Sequence, residues 1–167
     1  MSTLFACYVG GRADGCNIEL HDVIFAVGEK IEDCYSHIRS SWFGSAERLH
    51  LDCYLELSQL DGYDITVGKS ENNLKLFFVN CGGYKAGHFG EIHAIQFVVS
   101  TSISAAISEV KNSLEKEYFD THSLAHFDDK FDVDDCFEVP FELSITENNN
   151  SHSLLPVILG YHKIPLA

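Results

Sequence analysis

Two short polar pairs, Glu19-x-His21 and His50-x-Asp52, stand in stretches of the chain that are otherwise apolar. Residues two apart on a β-strand point to the same face of a sheet, so each pair places an imidazole beside a carboxylate. If the two strands are parallel neighbours, about 4.8 Å apart, all four side chains converge on one patch. Imidazole nitrogen and carboxylate oxygen suit zinc, iron, manganese or nickel, and the same groups can act as general acid and base.

The second half of the chain contains a related pair, Glu91-x-His93. A counterpart of His50-x-Asp52 follows at His126-x-Asp128 if a four-residue insertion is allowed, whereas an ungapped alignment pairs His50 with His122. The candidate catalytic residues are therefore Glu19, His21, Glu91 and His93. The candidate ligands of a divalent transition metal are Glu19, His21, His50, Asp52, Glu91, His93, His126 and Asp128. The alternative is structural, because a carboxylate that hydrogen-bonds a histidine commonly satisfies polar groups near a core.

An internal repeat relates the two halves of the chain. When the sequence is shifted by 72 positions, residues 4–27 match residues 76–99 at nine of 24 positions without a gap. The identical residues include both glycine pairs, Gly10-Gly11 and Gly82-Gly83, and both Glu-x-His pairs. Chance gives about one or two such identities, so we interpret the chain as two tandem copies of one unit.

Each copy predicts the same order of elements: an apolar strand, a Gly-Gly hairpin turn, a longer and largely apolar central strand, a helix and a third strand. Ser102 is a plausible N-cap of the second helix. A right-handed crossover through the helix would leave the second and third strands parallel and adjacent. The predicted strands and helices are Leu4 to Val9, Ile18 to Val27, Ile31 to Trp42 and Tyr63 to Val67 in the first copy, and Leu74 to Cys81, Glu91 to Val99, Ile103 to Leu114 and Cys136 to Leu143 in the second.

These elements predict an α/β (α+β) fold, in which an internally duplicated ββαβ unit with pseudo-twofold symmetry forms a mixed sheet with helices packed on it. The first repeat spans residues 1–67, the second spans residues 74–143, and residues 144–167 form a tail. Pro156 to Ile164 is apolar enough for a closing strand. The linker between the repeats is short, so we expect one compact unit.

The composition of the chain limits the cellular compartments and the binding partners that we expect for it. The 167 residues carry a formal net charge of -14, which repels nucleic acid and anionic membranes. The first ten residues lack the features of a signal peptide, and no stretch is apolar enough for a membrane helix. The six cysteines are scattered without a CxxC pair and are expected to be free thiols. We therefore expect a cytoplasmic protein.

The segments GGR, NIELHDVIFAVG, SSWFGS and LHLDCYLEL resemble a bacterial family known as domain of unknown function 1543 (DUF1543). The resemblance is strongest over Leu4 to Val67 and weaker over Leu74 to Leu143, the second tandem copy. It implies a bacterial, cytoplasmic protein, and it brings no activity, substrate, cofactor or catalytic residue.

Three functions fit these observations. The first is an acidic binding or interaction module with a cleft lined by Glu and His, whose partner is a protein or a second copy of the chain. The second is a metal-dependent hydrolase or isomerase that uses the Glu-x-His and His-x-Asp sets. The third is an acidic inhibitor or immunity-type protein for a basic partner, an interpretation that depends on the charge of -14 alone.

Overall fold

A computed structural model describes residues 2–84, 87–119, 132–148 and 157–166. They form ten strands and two α-helices. The helices are α1 (Tyr35–Ser41), preceded by a 3-10 turn over Ile31–Cys34, and α2 (Ile103–Phe119). The strands are β1 (Thr3–Gly11), β2 (Leu20–Gly28), β3 (His50–Glu56), β4 (Gln59–Leu60), β5 (Tyr63–Val67), β6 (Lys75–Gly83), β7 (Ile92–Ser100), β8 (Asp132–Glu138), β9 (Leu143–Glu147) and β10 (Ile158–Lys163).

The chain divides into two compact units. Unit 1 comprises Met1–Lys69 and Phe141–Ala167, and unit 2 comprises Ser70–Pro140. Unit 1 contains a four-stranded sheet in the order β10-β3-β1-β2 and a three-stranded sheet in the order β4-β5-β9. Unit 2 contains a three-stranded sheet in the order β7-β6-β8. The predicted α+β fold class is confirmed. The predicted mixed sheet is wrong, because every described strand pair is antiparallel.

Strand β1 lies in the middle of the larger sheet of unit 1 because its side chains are apolar on both faces. Alternate residues Phe5, Cys7 and Val9 are buried against the helical segment, where Ile38 and Trp42 lie in the same cluster. The even-numbered side chains of β1 point to the opposite face. The helix therefore covers one face of the sheet, and Tyr8 and Gly10 belong to the other.

The closing strand predicted near the end of the chain is present as β10 and pairs with β3 in unit 1. Just beyond it, Ile164 is 2% exposed and belongs to the same core cluster as Val9 and Ile38. Residues that are far apart in sequence thus complete one core. The last predicted strand of the first copy is β5, which pairs with β9 along its whole length.

Unit 2 is built in the same way around β6. Its odd-numbered residues Phe77, Val79 and Cys81 form a core cluster with Ala106 and Val110 of α2. The hydroxyl of Ser102 accepts a hydrogen bond from the backbone N–H of Ala105, at 3.2 Å, as expected for the predicted N-cap. No helix in the described part of the chain is long and apolar enough to span a membrane.

Two sequence predictions about the strands are wrong. The second and third strands are not adjacent, because β2 and β3 each pair with opposite edges of β1, which is the central strand. Nor do the glycine pairs form turns: Gly10 and Gly11 are the last residues of β1, and neither has a positive φ angle. The turn lies further along, where Gly15 has a φ of 83°. Because no positive φ angle requires glycine at these positions, the absence of a side chain must matter for another reason. The candidate site provides that reason.

Candidate metal-binding site

The candidate site of unit 1 is built over Gly10. In the sheet register Gly10 lies opposite His21 of β2 on one side and opposite His50 of β3 on the other. Directly opposed residues of an antiparallel pair share a face, so both imidazoles belong to the face away from the helix. Because Gly10 has no side chain, the two histidines can lean toward each other across it. A Cβ atom on Gly10 would lie 2.7 Å from His50 Nε2 and 3.2 Å from His21 Cδ2.

Asp52 reaches the same place through a β-bulge. Tyr8 pairs with Cys53 and Val9 pairs with Leu51, so Asp52 is the extra residue of β3, without an opposite partner on β1. A bulge bends the strand locally and re-aims the side chain of the extra residue. The Asp52 carboxylate accordingly lies over Gly10, where its Oδ2 would be 2.9 Å from an added Cβ.

Glu19, which directly precedes β2, completes the cluster. His21 Nε2 lies 3.3 Å from Asp52 Oδ2 and 3.8 Å from Glu19 Oε2. His50 Nε2 lies 3.3 Å from Asp52 Oδ1 and 3.4 Å from Glu19 Oε1. Each carboxylate therefore faces both imidazoles, one oxygen to each. We call these four residues, Glu19, His21, His50 and Asp52, the unit 1 cluster.

His50 is the anchored member of the unit 1 cluster. It is 4% exposed, the one buried polar or charged side chain within the described ranges. Its Nδ1 lies 3.0 Å from the backbone carbonyl oxygen of Arg48. A carbonyl oxygen can only accept, so Nδ1 carries a proton and a neutral His50 turns an unprotonated Nε2 toward the two carboxylates.

Aromatic rings flank the unit 1 cluster on both sides. Tyr8 stacks on His21 with ring centres 5.4 Å apart, and Tyr161 of β10 lies over His50 with ring centres 4.4 Å apart. The pKa of Tyr8 is raised, mainly because burial disfavours the phenolate and secondarily because the Asp52 carboxylate is near. Both imidazoles are thus held in orientation by packing as well as by the strands.

Unit 2 carries a related cluster over Gly82. This glycine lies opposite His93 of β7 and opposite Asp132 of β8. Asn80 pairs with Asp135 and Cys81 with Val133, so Asp134 is the extra residue of a bulge, as Asp52 is in β3. His93 Nε2 lies 3.5 Å from Glu91 Oε2 and 3.9 Å from Asp134 Oδ2. We call Glu91, His93 and Asp134 the unit 2 cluster.

The structure thus brings together the four candidate ligands predicted in the first half of the chain, and it places Glu91 and His93 together in the second. His126 and Asp128 lie outside the described residues. In the sheet of unit 2 the positions that correspond to His50 and Asp52 are occupied by Asp132 and Asp134. Asp134 is the ligand candidate that the sequence did not predict, and no local signal marks it, because the offset between the copies is 72 at Gly82 and 82 at Asp134.

The unit 1 cluster supports two kinds of chemistry. Ligands bound at about 2.1 Å from one transition-metal ion lie roughly 3 to 3.4 Å from one another. In this cluster the imidazole nitrogens lie 3.3 to 3.8 Å from the carboxylate oxygens. The same imidazole and carboxylate groups can exchange protons. Asp52 Oδ2 is buried and has no hydrogen-bond partner in the described part of the chain, because the near nitrogen of His21 is not aligned to donate to it. An unsatisfied buried carboxylate oxygen favours a bound cation.

Comparisons with known proteins find a protein family and a solved structure that are similar to this chain. The family described as Domain of Unknown Function (DUF1543) matches residues 16–67, a single copy that contains the unit 1 cluster. The predicted resemblance is confirmed over this stretch, and the second tandem copy stays a prediction. The chain is also similar to the crystal structure of a protein Il1583 from Idiomarina loihiensis, with 29% sequence identity, a TM-score of 0.75 and coverage of 100% of both chains. No curated protein matches the chain significantly.

Proposed function

We propose that this chain is a metal-binding protein whose unit 1 cluster holds one divalent transition-metal ion through Glu19, His21, His50 and Asp52. In this proposal the cleft lined by Glu and His binds a metal ion first. A small ligand then binds at the metal ion. A hydrolase or isomerase activity would be metal-assisted chemistry on that ligand.

The environment of His50 carries the proposal. Its Nδ1–H is committed to the Arg48 carbonyl, and its Nε2 lies 3.3 and 3.4 Å from two carboxylate oxygens. A lone pair that faces two anionic oxygens is repelled, and a cation between them converts this repulsion into attraction. A backbone carbonyl that fixes the tautomer of a histidine is also the usual support of a metal-binding imidazole.

Solvent exposure supports a role beyond structure. The side chains of Glu19, His21 and Asp52 are 43%, 37% and 33% exposed, whereas that of His50 is 5% exposed. The proposed ligand His50 is therefore buried, and the other three proposed ligands border the solvent. Structural metal sites are closed by protein ligands, while sites that act on a substrate keep a position open to solvent. With four protein ligands, the unit 1 cluster leaves room for a substrate only as an additional ligand, which would approach from the side that Glu19, His21 and Asp52 expose to solvent.

We also infer that unit 2 is a diverged copy of this arrangement. The hairpin register of β1 with β2 and that of β6 with β7 are the same after a shift of 72 residues. The bulge after Tyr8 has its counterpart after Asn80 at the same shift. Agreement in both register and bulge supports duplication of one unit, and the ligands would then have changed in one copy.

Zinc titration of the untagged protein tests the metal assignment. The background variant Glu91→Gln weakens the unit 2 cluster, so that calorimetry reports on unit 1. We expect one equivalent of Zn²⁺ to bind in this background, and His21→Ala to weaken binding on the order of tenfold or more, because one imidazole ligand is lost. His37→Ala removes an exposed histidine outside both clusters and should leave the affinity unchanged.

Asp52→Asn provides a second variant with nearly the same shape, and circular dichroism verifies that each variant is folded. Failure of the Glu91→Gln protein to bind zinc, cobalt or nickel would overturn the proposal. So would equal affinities of the His21→Ala and His37→Ala variants. Either outcome would leave His50 as a structural partner of the two carboxylates.

A further inference from the structure

The unit 2 cluster has a different set of ligands from the unit 1 cluster. One oxygen of Glu91, one oxygen of Asp134 and one ring nitrogen of His93 all lie within 4.8 Å of one another. The place that His50 occupies in unit 1 is taken by Asp132, so one imidazole of the arrangement is missing. Two carboxylates and a single imidazole remain to face a common point.

Asp132 does not simply replace His50 as a ligand. Its Oδ1 lies 2.7 Å from the ammonium of Lys111 on α2, and the same oxygen accepts a hydrogen bond from the backbone N–H of Val133. Lys111 thus neutralises Asp132, the third acidic residue near the cluster. The charge that a cation would meet is that of Glu91 and Asp134, about two negative charges.

The absence of a side chain on Gly82 leaves room for the two carboxylates of the unit 2 cluster. A Cβ atom on Gly82 would lie 2.2 Å from Asp134 Oδ2 and 2.6 Å from Glu91 Oε1. Both oxygens therefore occupy the space above the glycine. Two anionic oxygens held over one point repel each other unless a positive charge lies between them. His93 Nε2 lies 3.5 Å from Glu91 Oε2 and 3.9 Å from Asp134 Oδ2. The cluster therefore offers a ring nitrogen in addition to the two carboxylates.

We propose that unit 2 binds a second cation at Glu91, His93 and Asp134, and that this site prefers a harder ion, of which Mn²⁺ is the best probe. Carboxylate oxygen suits manganese and magnesium, whereas each additional imidazole shifts preference toward zinc, copper or nickel. The side chains of Glu91, His93 and Asp134 are 32%, 51% and 37% exposed, so water molecules complete the coordination. Affinity is lower than in unit 1, because fewer protein ligands hold the ion.

The proposal is independent of zinc binding in unit 1, and the test separates the two sites. One equivalent of Zn²⁺ is first added to the full chain, and Mn²⁺ binding is then followed by the loss of the free-ion signal in electron paramagnetic resonance. We expect saturable binding of one Mn²⁺. Asp134→Asn should weaken it on the order of tenfold, and His37→Ala, outside both clusters, should leave it unchanged.

Asp135→Asn is the matched control, because it removes the same charge from the next residue of β8, which pairs with Asn80 rather than lying over Gly82. Glu91→Gln is a second ligand variant in case Asp134→Asn does not fold. Loss of Mn²⁺ binding in both ligand variants with retention in Asp135→Asn supports the site. Equal weakening by Asp134→Asn and Asp135→Asn, or manganese binding that does not saturate, overturns it in favour of diffuse attraction to an acidic surface.

Discussion

Gly10 is the residue that makes room for the unit 1 cluster, and Gly82 has the same position in unit 2. In Gly10→Ala the new methyl group would meet His50 Nε2 at 2.7 Å and Asp52 Oδ2 at 2.9 Å, both well inside contact distance. The ligands must move apart, so we expect weaker zinc binding and a loss of about 1 to 3 kcal/mol in the free energy of unfolding.

Gly82→Ala is the reciprocal variant, since its methyl group would meet Asp134 and Glu91 instead. It should impair Mn²⁺ binding and leave zinc binding intact. Calorimetry and resonance titrations of the two variants check this division. Equal effects of both variants on both ions would contradict the assignment of a separate site to each glycine.

Three buried cysteines are expected to remain protonated well into the alkaline range. Burial raises the pKa of Cys7 to about 12 and those of Cys34 and Cys81 to about 11. The thiolate is the reactive form, so at pH 8 iodoacetamide should modify these three far more slowly than the partly exposed Cys16. Mass spectrometry of the native, alkylated protein measures this. Comparable rates at Cys7 and Cys16 would contradict it.

The same pKa shifts imply a pH dependence of stability. In the unfolded chain these thiols ionise near pH 8.5, whereas in the folded protein they stay neutral until about pH 11 to 12. The unfolded state therefore releases protons first as pH rises. The contribution to stability is complete below pH 8.5 and is lost between there and pH 12, so the free energy of unfolding should fall over this interval.

Single elements show what the sequence can and cannot predict. The alternation and length of apolar segments predicted most strands and both helices, and β5 has the predicted bounds of Tyr63–Val67. Strand neighbours were not predictable in the same way, because hydrophobic periodicity fixes the face of a side chain but not the strand beside it. The four residues of the unit 1 cluster meet because β1 lies between β2 and β3, an order that differs from the expected one.

A β-bulge explains why the sequence does not predict Asp134 as a candidate ligand. A bulge has no distinct signal in the amino-acid sequence of a strand. Nothing in the segment Asp132–Glu138 therefore distinguishes Asp134 from Asp135. The distinction comes from pairing with β6, which leaves Asp134 without an opposite residue. In unit 1 the His-x-Asp spacing made Asp52 conspicuous, whereas in unit 2 the aspartate at the position of His50 removed that signal.

At the scale of the whole molecule, unit 1 is discontinuous and depends on the end of the chain. Its core contains Ile164, which is 2% exposed and lies in one cluster with Phe5, Cys7 and Leu51. The preceding strand, β10, pairs with β3 and brings Tyr161 over His50. Residues 158–164 thus support both the sheet and the proposed ligand His50, whereas the core cluster of unit 2 and the side chains packed on it lie within residues 77–136.

Ile164→Ala should consequently destabilise unit 1 selectively. Truncation of a fully buried isoleucine costs about 2 to 5 kcal/mol, because apolar surface is lost and a cavity remains. Hydrogen-exchange mass spectrometry should show faster exchange in β1, β3 and β10 and unchanged exchange in β6 and β7. Leu166→Ala, at a side chain that is 57% exposed, is the control and should alter neither. If exchange rises equally in both units, they unfold as one cooperative body and the end of the chain supports the whole molecule rather than the unit that contains it.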